Sequence, residues 1–483
     1  MTFATLSTTP SDVKEILSLP VTGIDSRGRG RALVRAETEE ADAPAGRHVA
    51  VSWALPGDVV DVRITRRRGG LLQSTVTAVK QTRIPRRAPF CSHFSECGGC
   101  TIQDLAYEDQ LVLKEQIVLA AFAEQGIELP VKPRPILPAP RETLYRNKLE
   151  YSFGAQRWLT DEEIASGSLI TDRRALGFHA PGRFDRVIQL TECSLQDEPS
   201  NAIRNALDAF ARENGLTYYD ARAHTGLLRL LIIRTSLTGE TMVTVMFGED
   251  DDAYVQKTME FLQSAFPEII SLNYVVNTSA NDSIFAHEVR TFAGTPYIAE
   301  RCGTLSLRIR PKAFYQTNPE QAERLYELVK ERAEIRESDL VFDLFSGIGS
   351  IGMYLSPHVR DVVCVESVPD AVASARENVG INGISNLTVI EGLVEQVLGE
   401  AIRVHGVPRV MVIDPPRAGM HPSVLPVLKQ DGAEKIVYVS CNPATQAKDI
   451  RELQETYSIA DIQPVDMFPQ TRHVESIVVL NRR

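Results

Sequence analysis

Residues 341–352 read Val-Phe-Asp-Leu-Phe-Ser-Gly-Ile-Gly-Ser-Ile-Gly, and this stretch decides the fold of the chain. The run predicts a buried strand, a tight glycine turn and the start of a helix. Gly347 and Gly349 carry no Cβ, so the backbone can bend sharply there and approach a ligand. A second apolar strand at 362–365 ends at Glu366. An acid about 20 residues beyond such a turn is placed to bind ribose hydroxyls, so the stretch predicts a site for a nucleotide-like ligand.

The glycine spacing is compatible with two kinds of ligand, and Asp343 distinguishes between them. The spacing Gly347-x-Gly349-x-x-Gly352 also matches the pattern of nicotinamide dinucleotide sites. A carboxylate at the end of the first strand would repel a pyrophosphate, whereas it suits the cationic amino and sulfonium groups of S-adenosylmethionine. The sequence therefore favours a methyl-donor site, with an ordinary tight turn in a βαβ unit as the plain alternative.

Length and composition set the class of protein. A chain of 483 residues is expected to form about two to four domains, and 43% apolar with 24% charged residues is the composition of a globular protein. No run approaches the roughly 18 apolar residues of a membrane helix. The first residues lack a basic start followed by an apolar core, so we expect a cytoplasmic protein with a disordered tail over residues 1–11. Seven unevenly spaced cysteines argue against a disulfide framework.

The net charge of −11 is unevenly distributed. Residues 61–90 hold eight Lys or Arg and one acid, a charge of +7, so the remaining residues carry −18. An acidic body with one basic arm fits a protein that binds phosphates locally and avoids non-specific contacts. A solvated basic loop is the alternative.

Three domains are predicted along the chain. Five short β-type runs with Gly-rich turns predict a small barrel of the OB type in domain 1–82, a plausible module for binding RNA. Domain 83–310 opens with an amphipathic helix at 104–125 and then mixes strands and helices, which predicts an α+β domain. Domain 311–483 alternates strands and helices, which predicts a doubly wound parallel sheet with ligands beyond the carboxyl ends of its strands.

Three cysteines within ten residues indicate a metal site. Cys91, Cys97 and Cys100 are separated by five and two residues, and the glycines between the last two let their thiolates converge. A fourth ligand should come from elsewhere, and Cys193 is the best candidate. An iron–sulfur cluster fits better than zinc, because structural zinc sites usually bring paired Cys-x-x-Cys or Cys/His spacings. Free thiols are the alternative.

Three motifs fall at the carboxyl ends of the predicted C-terminal strands. Asp414-Pro-Pro-Arg417 follows the strand at 410–413, and its prolines stiffen the loop that holds Asp414 beside the donor pocket. Cys441, in Ser-Cys-Asn-Pro, precedes a helix N-terminus whose dipole and N–H groups should favour its thiolate. A buried core thiol is the alternative. Glu475 comes immediately before the last predicted strand, where an exposed acid is usually solvated surface.

Together these groups suggest C5 methylation of a pyrimidine. That reaction requires a thiolate nucleophile, a bound methyl donor and a carboxylate base. C5 of uracil is a weak nucleophile until a thiolate, here Cys441, adds to C6. The resulting enolate attacks the donor methyl, the base removes the C5 proton, and the thiolate leaves.

Over nearly its whole length the chain resembles the bacterial RNA uracil-C5 methyltransferases, most closely those that act on 23S ribosomal RNA. The resemblance implies a TRAM domain at residues 12–80, RNA as partner, S-adenosylmethionine as methyl donor and a [4Fe-4S] cluster. One departure is Ser350, where relatives often carry Asn. The chain contains the motifs Phe-Tyr-Gln-Thr-Asn, Ser-Cys-Asn-Pro and Pro-x-Thr-x-His-x-Glu of this family. The resemblance implies that residues at the family's functional positions have the family's roles. These roles are cluster ligation at Cys91, Cys97, Cys100 and Cys193, donor contact at Gln316, Phe345, Glu366 and Asp414, the nucleophile at Cys441 and the base at Glu475.

Other functions are disfavoured by single residues. An RNA cytosine-C5 methyltransferase would carry a second cysteine near Arg417, and an adenine N6-methyltransferase would carry an aromatic residue in its place. A nicotinamide enzyme leaves Cys441 without a role, and a non-catalytic RNA-binding protein would not need Cys441 and Glu475 together. Transfer RNA stays open as the substrate, although the cluster cysteines favour ribosomal RNA. We expect a monomer that does not contact membranes.

Overall fold

The computed structural model describes residues 15–34, 47–68 and 71–483, so the predicted tail lies outside the described residues. The N-terminal strands are β1 (Glu15–Pro20), β2 (Gly23–Ile24), β3 (Gly30–Val34), β4 (Arg47–Ser52), β5 (Val59–Arg68) and β6 (Leu71–Gln81). They form one sheet in the order β1-β5-β6-β4-β3-β2, in which only β4 and β6 run parallel among the described strands. The short β2 is an addition to the five predicted strands.

This N-terminal sheet has an apolar core of its own. Along β3 every second side chain is buried, which is the pattern of a strand with one solvated face. The side chains of Arg63 and Arg66 on β5 are exposed, so basic groups stand on the solvated face. The core residues are Ile16, Leu19, Val21, Ala32, Val34, Val49, Val51, Ala54, Val60, Val62 and Leu72.

Helix α1 (Tyr107–Glu124) follows, within the predicted range. Its buried apolar side chains, which include Ile117, join a core that also contains Phe342 and Ile436 of the C-terminal part of the chain. The helix thus packs with the C-terminal sheet, although the whole central sheet separates the two in sequence. Two of its buried positions are polar, Gln110 and Lys114.

The central part is a seven-stranded sheet with helices packed on it. Its elements are β7 (Lys148–Gly154), α2 (Asp161–Ser166), β8 (Ala175–His179), β9 (Val187–Gln189), α3 (Ser200–Glu213), β10 (Leu228–Thr235), β11 (Thr241–Phe247), α4 (Asp252–Ala265), β12 (Ile269–Val276) and β13 (Arg290–Gly294). The strand order is β13-β12-β11-β10-β7-β8-β9. Phe210 of α3 stacks on Phe261 of α4 with ring centroids 4.1 Å apart, which joins the two helices. A separate hairpin follows, β14 (Ile298–Cys302) and β15 (Leu305–Ile309).

The C-terminal part is a second seven-stranded sheet with helices between its strands. Its elements are α5 (Pro319–Ala333), β16 (Leu340–Leu344), α6 (Ser350–Leu355), β17 (Asp361–Glu366), α7 (Pro369–Ile381), β18 (Leu387–Glu391), α8 (Val394–His405), β19 (Val410–Ile413), α9 (Val424–Asp431), β20 (Lys435–Ser440), α10 (Pro443–Leu453), β21 (Tyr457–Val465) and β22 (Glu475–Arg482). The strand order is β18-β17-β16-β19-β20-β22-β21.

The prediction of a wholly parallel sheet was wrong at one edge. Strands β16 to β20 run parallel, whereas β22 pairs antiparallel with both β20 and β21. The reason is the short connection 466–474, because a chain that returns without a crossover helix must run antiparallel. This antiparallel return brings the start of β22 to the carboxyl end of β20.

The cysteines outside the predicted cluster and active site are buried. Cys364 on β17 lies in the core as predicted, and Cys302 is buried as well. All seven cysteines lie in the described part of the chain, and no disulfide joins any of them. In the described part of the chain, no helix has the length and apolar character needed to span a membrane.

Candidate active site at the ends of the parallel strands

The glycine turn joins β16 to α6 at the carboxyl edge of the C-terminal sheet. Phe345, Gly347 and Gly349 have positive φ angles of 62°, 55° and 76°, and only Phe345 carries a Cβ that makes this conformation costly. A Cβ on Gly347 would meet no atom within 4 Å, whereas a Cβ on Gly352 would lie 2.5 Å from the Sγ of Cys364. Gly352 therefore lets α6 pack closely on β17, and Gly347 leaves open space for a ligand.

Asp343 is buried beneath this turn with half of its carboxylate unused. Its Oδ2 accepts the N–H of Gly352 at 2.8 Å, and its Oδ1 is buried without a hydrogen-bond partner among the described residues. Burial, with the charge of nearby Asp414 adding to it, raises the pKa of Asp343 to about 7. A cationic ligand would favour the ionised form instead, so this pocket suits a positive charge.

Glu366 ties the end of β17 to the turn. Its Oε2 accepts the N–H of Gly347 at 2.8 Å. Its Oε1 accepts the N–H groups of Ser367 and Val368 at 2.7 and 2.8 Å. The carboxylate is therefore held in one orientation at the mouth of the turn.

Asp414 stands next to the same turn, after β19. Its N–H donates to the carbonyl of Leu344 at 3.3 Å, and burial raises its pKa to about 7. Phe345, Glu366 and Asp414 follow three neighbouring parallel strands, so the structure brings these predicted residues to one edge of the sheet.

Gln316 lies partly buried in the loop between β15 and α5. Asn147, immediately before β7, donates its backbone N–H to the carbonyl of Thr317 at 2.8 Å and its side-chain amide to the carbonyl of Gln316 at 3.2 Å. Asn318 donates its side-chain amide to the carbonyl of Met467 at 3.1 Å. The Gln316 loop is thus fixed between the central sheet and the connection that leads to β22.

Cys441 lies between the end of β20 and the N-cap of α10, partly exposed. The N-cap residue Asn442 donates its side-chain amide to the carbonyl of Arg417 at 2.8 Å, which joins the two loops. Burial and the charge of Glu475 raise the pKa of Cys441 to about 11, and Arg417 opposes this rise. The predicted lowering of this pKa by the helix N-terminus is therefore outweighed, first by burial of the thiol and then by the charges of Glu475 and Asp414.

Glu475 is the first residue of β22 and is only 4% exposed. In the pairing of β20 with β22, Ser440 faces Ser476, so Cys441 and Glu475 continue the same register one step further. Burial and the charge of Asp414 raise the pKa of Glu475 to about 8, while Arg417 opposes the rise. The acid is thus buried next to the thiol, not solvated at the surface.

Helix α1 holds the connection that leads to Glu475, a link that the sequence reasoning missed. The Lys114 ammonium donates to Asp466 at 2.5 Å. The Gln110 side chain donates to the side chain of Gln470 and accepts its backbone N–H, both at 2.9 Å. The available signal was two polar residues on the buried face of an amphipathic helix, because such groups are buried only with partners.

His473 is another titratable group of this connection. Its ring lies edge-on to Phe468, with centroids 6.3 Å apart. Removal from bulk water, together with nearby Arg417, Lys114 and Arg146, lowers the pKa of this histidine to about 4. The ring is therefore mostly neutral at pH 7, although the residue is exposed.

The four predicted cluster cysteines line one cavity beside the central sheet. The cavity has about 420 Å³ of atom-free space, part of it open to solvent. Burial raises the pKa of Cys91 and Cys193, and it raises the pKa of Cys97 to about 11 and that of Cys100 to about 12. Within the described ranges, no three His, Cys, Asp or Glu side chains are grouped as a site for one metal ion. The structure brings the four cysteines together without showing a metal site.

Known proteins are similar in sequence to this chain over most of its length. The family model described as tRNA (Uracil-5-)-methyltransferase matches residues 229–483. A protein of Bacteroides thetaiotaomicron, described as an uncharacterized RNA methyltransferase, is 41% identical over 440 residues, which cover 90% of this chain and 97% of the relative. A protein of Caldanaerobacter subterraneus subsp. tengcongensis with the same description is 32% identical over 477 residues, covering 97% and 99%.

A solved structure shares the fold over both chains. The tRNA (uracil-54, C5)-methyltransferase of Pyrococcus abyssi, in complex with S-adenosyl-L-homocysteine, is 25% identical, with a TM-score of 0.68. The match covers 96% of this chain and 100% of that chain. It includes the β-rich N-terminal part as well as the C-terminal α/β sheet. The chain therefore belongs to the tRNA (uracil-5-)-methyltransferase family, whose members methylate RNA.

Proposed function

We propose that this protein transfers a methyl group from S-adenosylmethionine to C5 of a uridine in RNA through a covalent adduct with Cys441. The pairing of β20 with β22 is the observation that supports this most, because its register sets Cys441 next to Glu475. A nucleophile and an acid–base group beside each other, next to an acid-lined glycine turn, are the groups that C5 substitution requires.

The donor pocket is assigned to the glycine turn. S-adenosylmethionine, when bound, supplies an electrophilic methyl group on a positively charged sulfur. The residues fit such a ligand, because Asp343 has an unused buried oxygen and Gly347 faces open space. Glu366, held by the turn, is placed for the ribose hydroxyls. Donor contacts are assigned to Gln316, Phe345, Glu366 and Asp414.

Cys441 performs the first step. Its thiol loses a proton to solvent at its exposed edge, and the thiolate then forms a bond to C6 of the uracil. The electron pair of the C5–C6 double bond moves toward C5 and O4, which makes C5 nucleophilic toward the donor methyl. Arg417 is the cation that lowers the pKa of this thiol against burial and the neighbouring acids.

Glu475 performs the last step. As a carboxylate it accepts the proton from C5, the double bond to C6 forms again, and the bond between C6 and the Cys441 sulfur breaks. A base works best when its pKa lies near the working pH, and burial places the pKa of Glu475 at about 8. The ordinary pKa of an exposed Glu would make it a weaker base.

The two roles separate in one experiment with labelled RNA and labelled donor. Cys441→Ala should form no covalent RNA complex and transfer no methyl group. Glu475→Gln should still add to C6 and accept the methyl group, then stall as a protein–RNA conjugate that survives denaturing electrophoresis. Glu337→Gln, an exposed acid before β16 at the opposite edge of the sheet, is the matched control and should behave as wild type.

Release of tritium from 5-³H-uridine reports the final step directly. A general base contributes typically 10²–10⁴-fold, so Glu475→Gln should slow tritium release by about that factor while the conjugate accumulates. Loss of both conjugate and methyl transfer in a folded, donor-binding Glu475→Gln protein would contradict the assignment. His473 would then be the next candidate for the base.

The RNA substrate is proposed to be 23S ribosomal RNA. The support is the set of four cysteines that share one cavity, because the sequence resemblance ties that set to ribosomal specificity. Transfer RNA is the second candidate, favoured by the Pyrococcus abyssi structure, which is named a tRNA (uracil-54, C5)-methyltransferase. Mapping 5-methyluridine in both RNA classes from a deletion strain distinguishes them.

The four thiols are proposed to hold a [4Fe-4S] cluster. Cysteine thiolates are the usual ligands of such clusters, and Cys91, Cys97, Cys100 and Cys193 all line the same space. Burial raises the pKa of each of these partly buried thiols, and a metal centre would keep them deprotonated.

The N-terminal sheet is proposed to be a TRAM domain that binds RNA phosphates. Its support is the +7 segment, whose Arg63 and Arg66 are exposed on β5. Arg66→Ala should weaken RNA binding and reduce the slope of log affinity against log salt by roughly one phosphate contact, ~0.7–0.9. Affinity for S-adenosylmethionine should stay unchanged. An unaltered salt slope would make the basic segment a solvated surface.

A further inference from the structure

A second cavity lies in the central sheet, away from the glycine turn. It has about 390 Å³ of atom-free space, part of it open to solvent, between the end of β7 and the turn that joins β8 to β9. Its lining includes Gly154, Gln156, Tyr219, Asp220 and Arg229. The start of β7 adjoins Asn147, which holds the Gln316 loop, and Gly154 lies seven residues further along. Seven residues of extended strand, at about 3.3 Å per residue, place the cavity roughly 23 Å from the Gln316 loop.

Arg229 forms a rigid cationic side of this cavity. Its side chain is buried, with 1% exposure. Its guanidinium lies 4.0 Å from the ring centroid of Tyr219 and donates to three backbone carbonyls and to Asp282. Its Nε is buried without a hydrogen-bond partner among the described residues. With its other N–H groups holding these four hydrogen bonds, Arg229 is a fixed wall of the cavity.

The rim of the cavity presents an aromatic ring and a second guanidinium. Phe184 is 66% exposed, which is uncommon for so large an apolar side chain. The guanidinium of Arg222 lies 5.9 Å from the centroid of that ring, and its side chain is 67% exposed. Arg222 pairs with Asp185, which Arg183 also contacts. If Arg222 turns to a phosphate, Asp185 keeps Arg183 as its partner.

The turn that carries Phe184 is braced from two sides. Ala180 donates its N–H to the carbonyl of Arg186 at 2.9 Å, which closes the turn. Pro181 packs against Gly98, where a Cβ would lie 3.3 Å from the proline ring. Gly98 stands between Cys97 and Cys100, so the cysteine loop supports this turn. The ring of Phe184 is therefore exposed on a turn held in place, not on a free loop tip.

We propose that this cavity binds one nucleotide of the substrate RNA, a nucleotide other than the methylated uridine. The base stacks on Phe184 over the cavity that Arg229 lines, and Arg222 contacts its phosphate. Stacking on exposed aromatic rings beside arginines is how proteins bind unpaired bases. The cavity then helps to select the RNA at a distance from the reacting carbon. This inference rests on the proposed function in one respect, because it takes as the ligand the RNA that the protein methylates.

The test measures affinity for an unmodified in vitro transcript that the wild-type protein methylates. Loss of a stacked base costs about 1–3 kcal/mol, so Phe184→Ala should weaken binding roughly 5- to 150-fold, while Phe184→Tyr should retain wild-type affinity. Arg222→Ala should lower the slope of log affinity against log salt by ~0.7–0.9. The affinity of both variants for S-adenosylmethionine should not change.

Matched controls use exposed residues elsewhere in the same part of the chain. Tyr254→Ala on α4 and Arg290→Ala on β13, at the opposite edge of the sheet, should bind the transcript as wild type does. Wild-type affinity in Phe184→Ala, or equal losses in the control variants, would overturn the proposal. If the wild type methylated no transcript at all, the proposed function itself would fail, which is a separate result.

Discussion

Lys114 and Asp466 form an ion pair in which neither side chain is exposed, although 352 residues separate them in the chain. Lys114 also donates to the carbonyl of Phe468 at 2.9 Å, and Tyr107 donates its hydroxyl to Asp466 at 2.9 Å. The pair therefore fixes the connection between β21 and β22 from helix α1. Because Glu475 opens β22, α1 helps to position the proposed base.

Breaking this pair should destabilise the fold. Lys114→Met leaves the Asp466 charge buried without its partner, which typically costs 3–5 kcal/mol. The unfolding free energy from urea titration should fall by about that amount. The double change Lys114→Met with Asp466→Leu should lose less than the sum of the two single changes. Lys132→Met, at an exposed position, is the control and should stay within about 0.5 kcal/mol of wild type.

The buried carboxyl of Glu475 should make stability depend on pH. Its pKa is 4.5 when unperturbed and about 8 in the folded chain. Between these values the folded chain keeps a proton that the unfolded chain has lost, so the unfolding free energy falls as pH rises, by at most ~1.4 kcal/mol per pH unit. The Glu475→Gln variant has no carboxyl that titrates at this position, so its unfolding free energy does not fall with pH for this reason. The stability of wild type relative to Glu475→Gln should therefore fall from pH 5 to 8 and level off above.

Denaturant titrations of both proteins across that range measure the difference. A difference in unfolding free energy that stays constant with pH would mean that Glu475 ionises normally in the folded chain. Below its unperturbed pKa both states hold the proton, so the slope should vanish there as well.

A methyl group at Gly352 should disturb the donor pocket. Its Cβ would lie 2.5 Å from the Sγ of Cys364 and 3.2 Å from the Oδ2 of Asp343. Overpacking of this kind costs typically 1–3 kcal/mol, so Gly352→Ala should lower stability and weaken binding of S-adenosylmethionine measured by calorimetry. Gly380→Ala is the matched control on α7, because its Cβ would meet no atom within 4 Å. That variant should gain up to about 1 kcal/mol of stability and bind the donor normally.

Arg472 should couple the N-terminal sheet to the connection that leads to Glu475. Its guanidinium lies 5.9 Å from the ring centroid of Trp53, its backbone N–H donates to Thr101 at 3.1 Å, and its Nε is buried without a partner among the described residues. Arg472→Ala and Trp53→Ala should therefore be non-additive. A double-mutant cycle on unfolding should give a coupling of about 0.5–2 kcal/mol, and simple additivity would show that the two side chains act independently.

Iron content should distinguish the four cysteines that are proposed as cluster ligands from the other cysteines. Anaerobically purified protein should be brown and hold about four irons per chain. Cys193→Ser should lose the iron, whereas Cys302→Ser should retain it, because Cys302 is buried in a different core. Stoichiometric zinc without iron would contradict the cluster assignment. The measurement is metal analysis together with the visible absorption spectrum.

The sequence by itself determined the elements that depend on local pattern. The glycine turn after β16, the end of β17 at Glu366 and the strand β19 all lie where apolar period and glycine spacing predict them. Each of these features depends on residues within one turn or strand, so neighbouring residues are enough to specify it. The order of the motifs was also sufficient to indicate the family, which the family model confirms.

Tertiary structure alone decided which distant groups meet. Cys441 and Glu475 become neighbours because β22 returns antiparallel, and no local pattern specifies that pairing. The same packing raises the pKa of Cys441 where the sequence predicts a lowering, because it buries the thiol and brings acids from other strands near it. The docking of α1 on the connection before β22 is likewise a contact between chain ends. Burial and charge at a site are sums over residues that only the folded chain brings together.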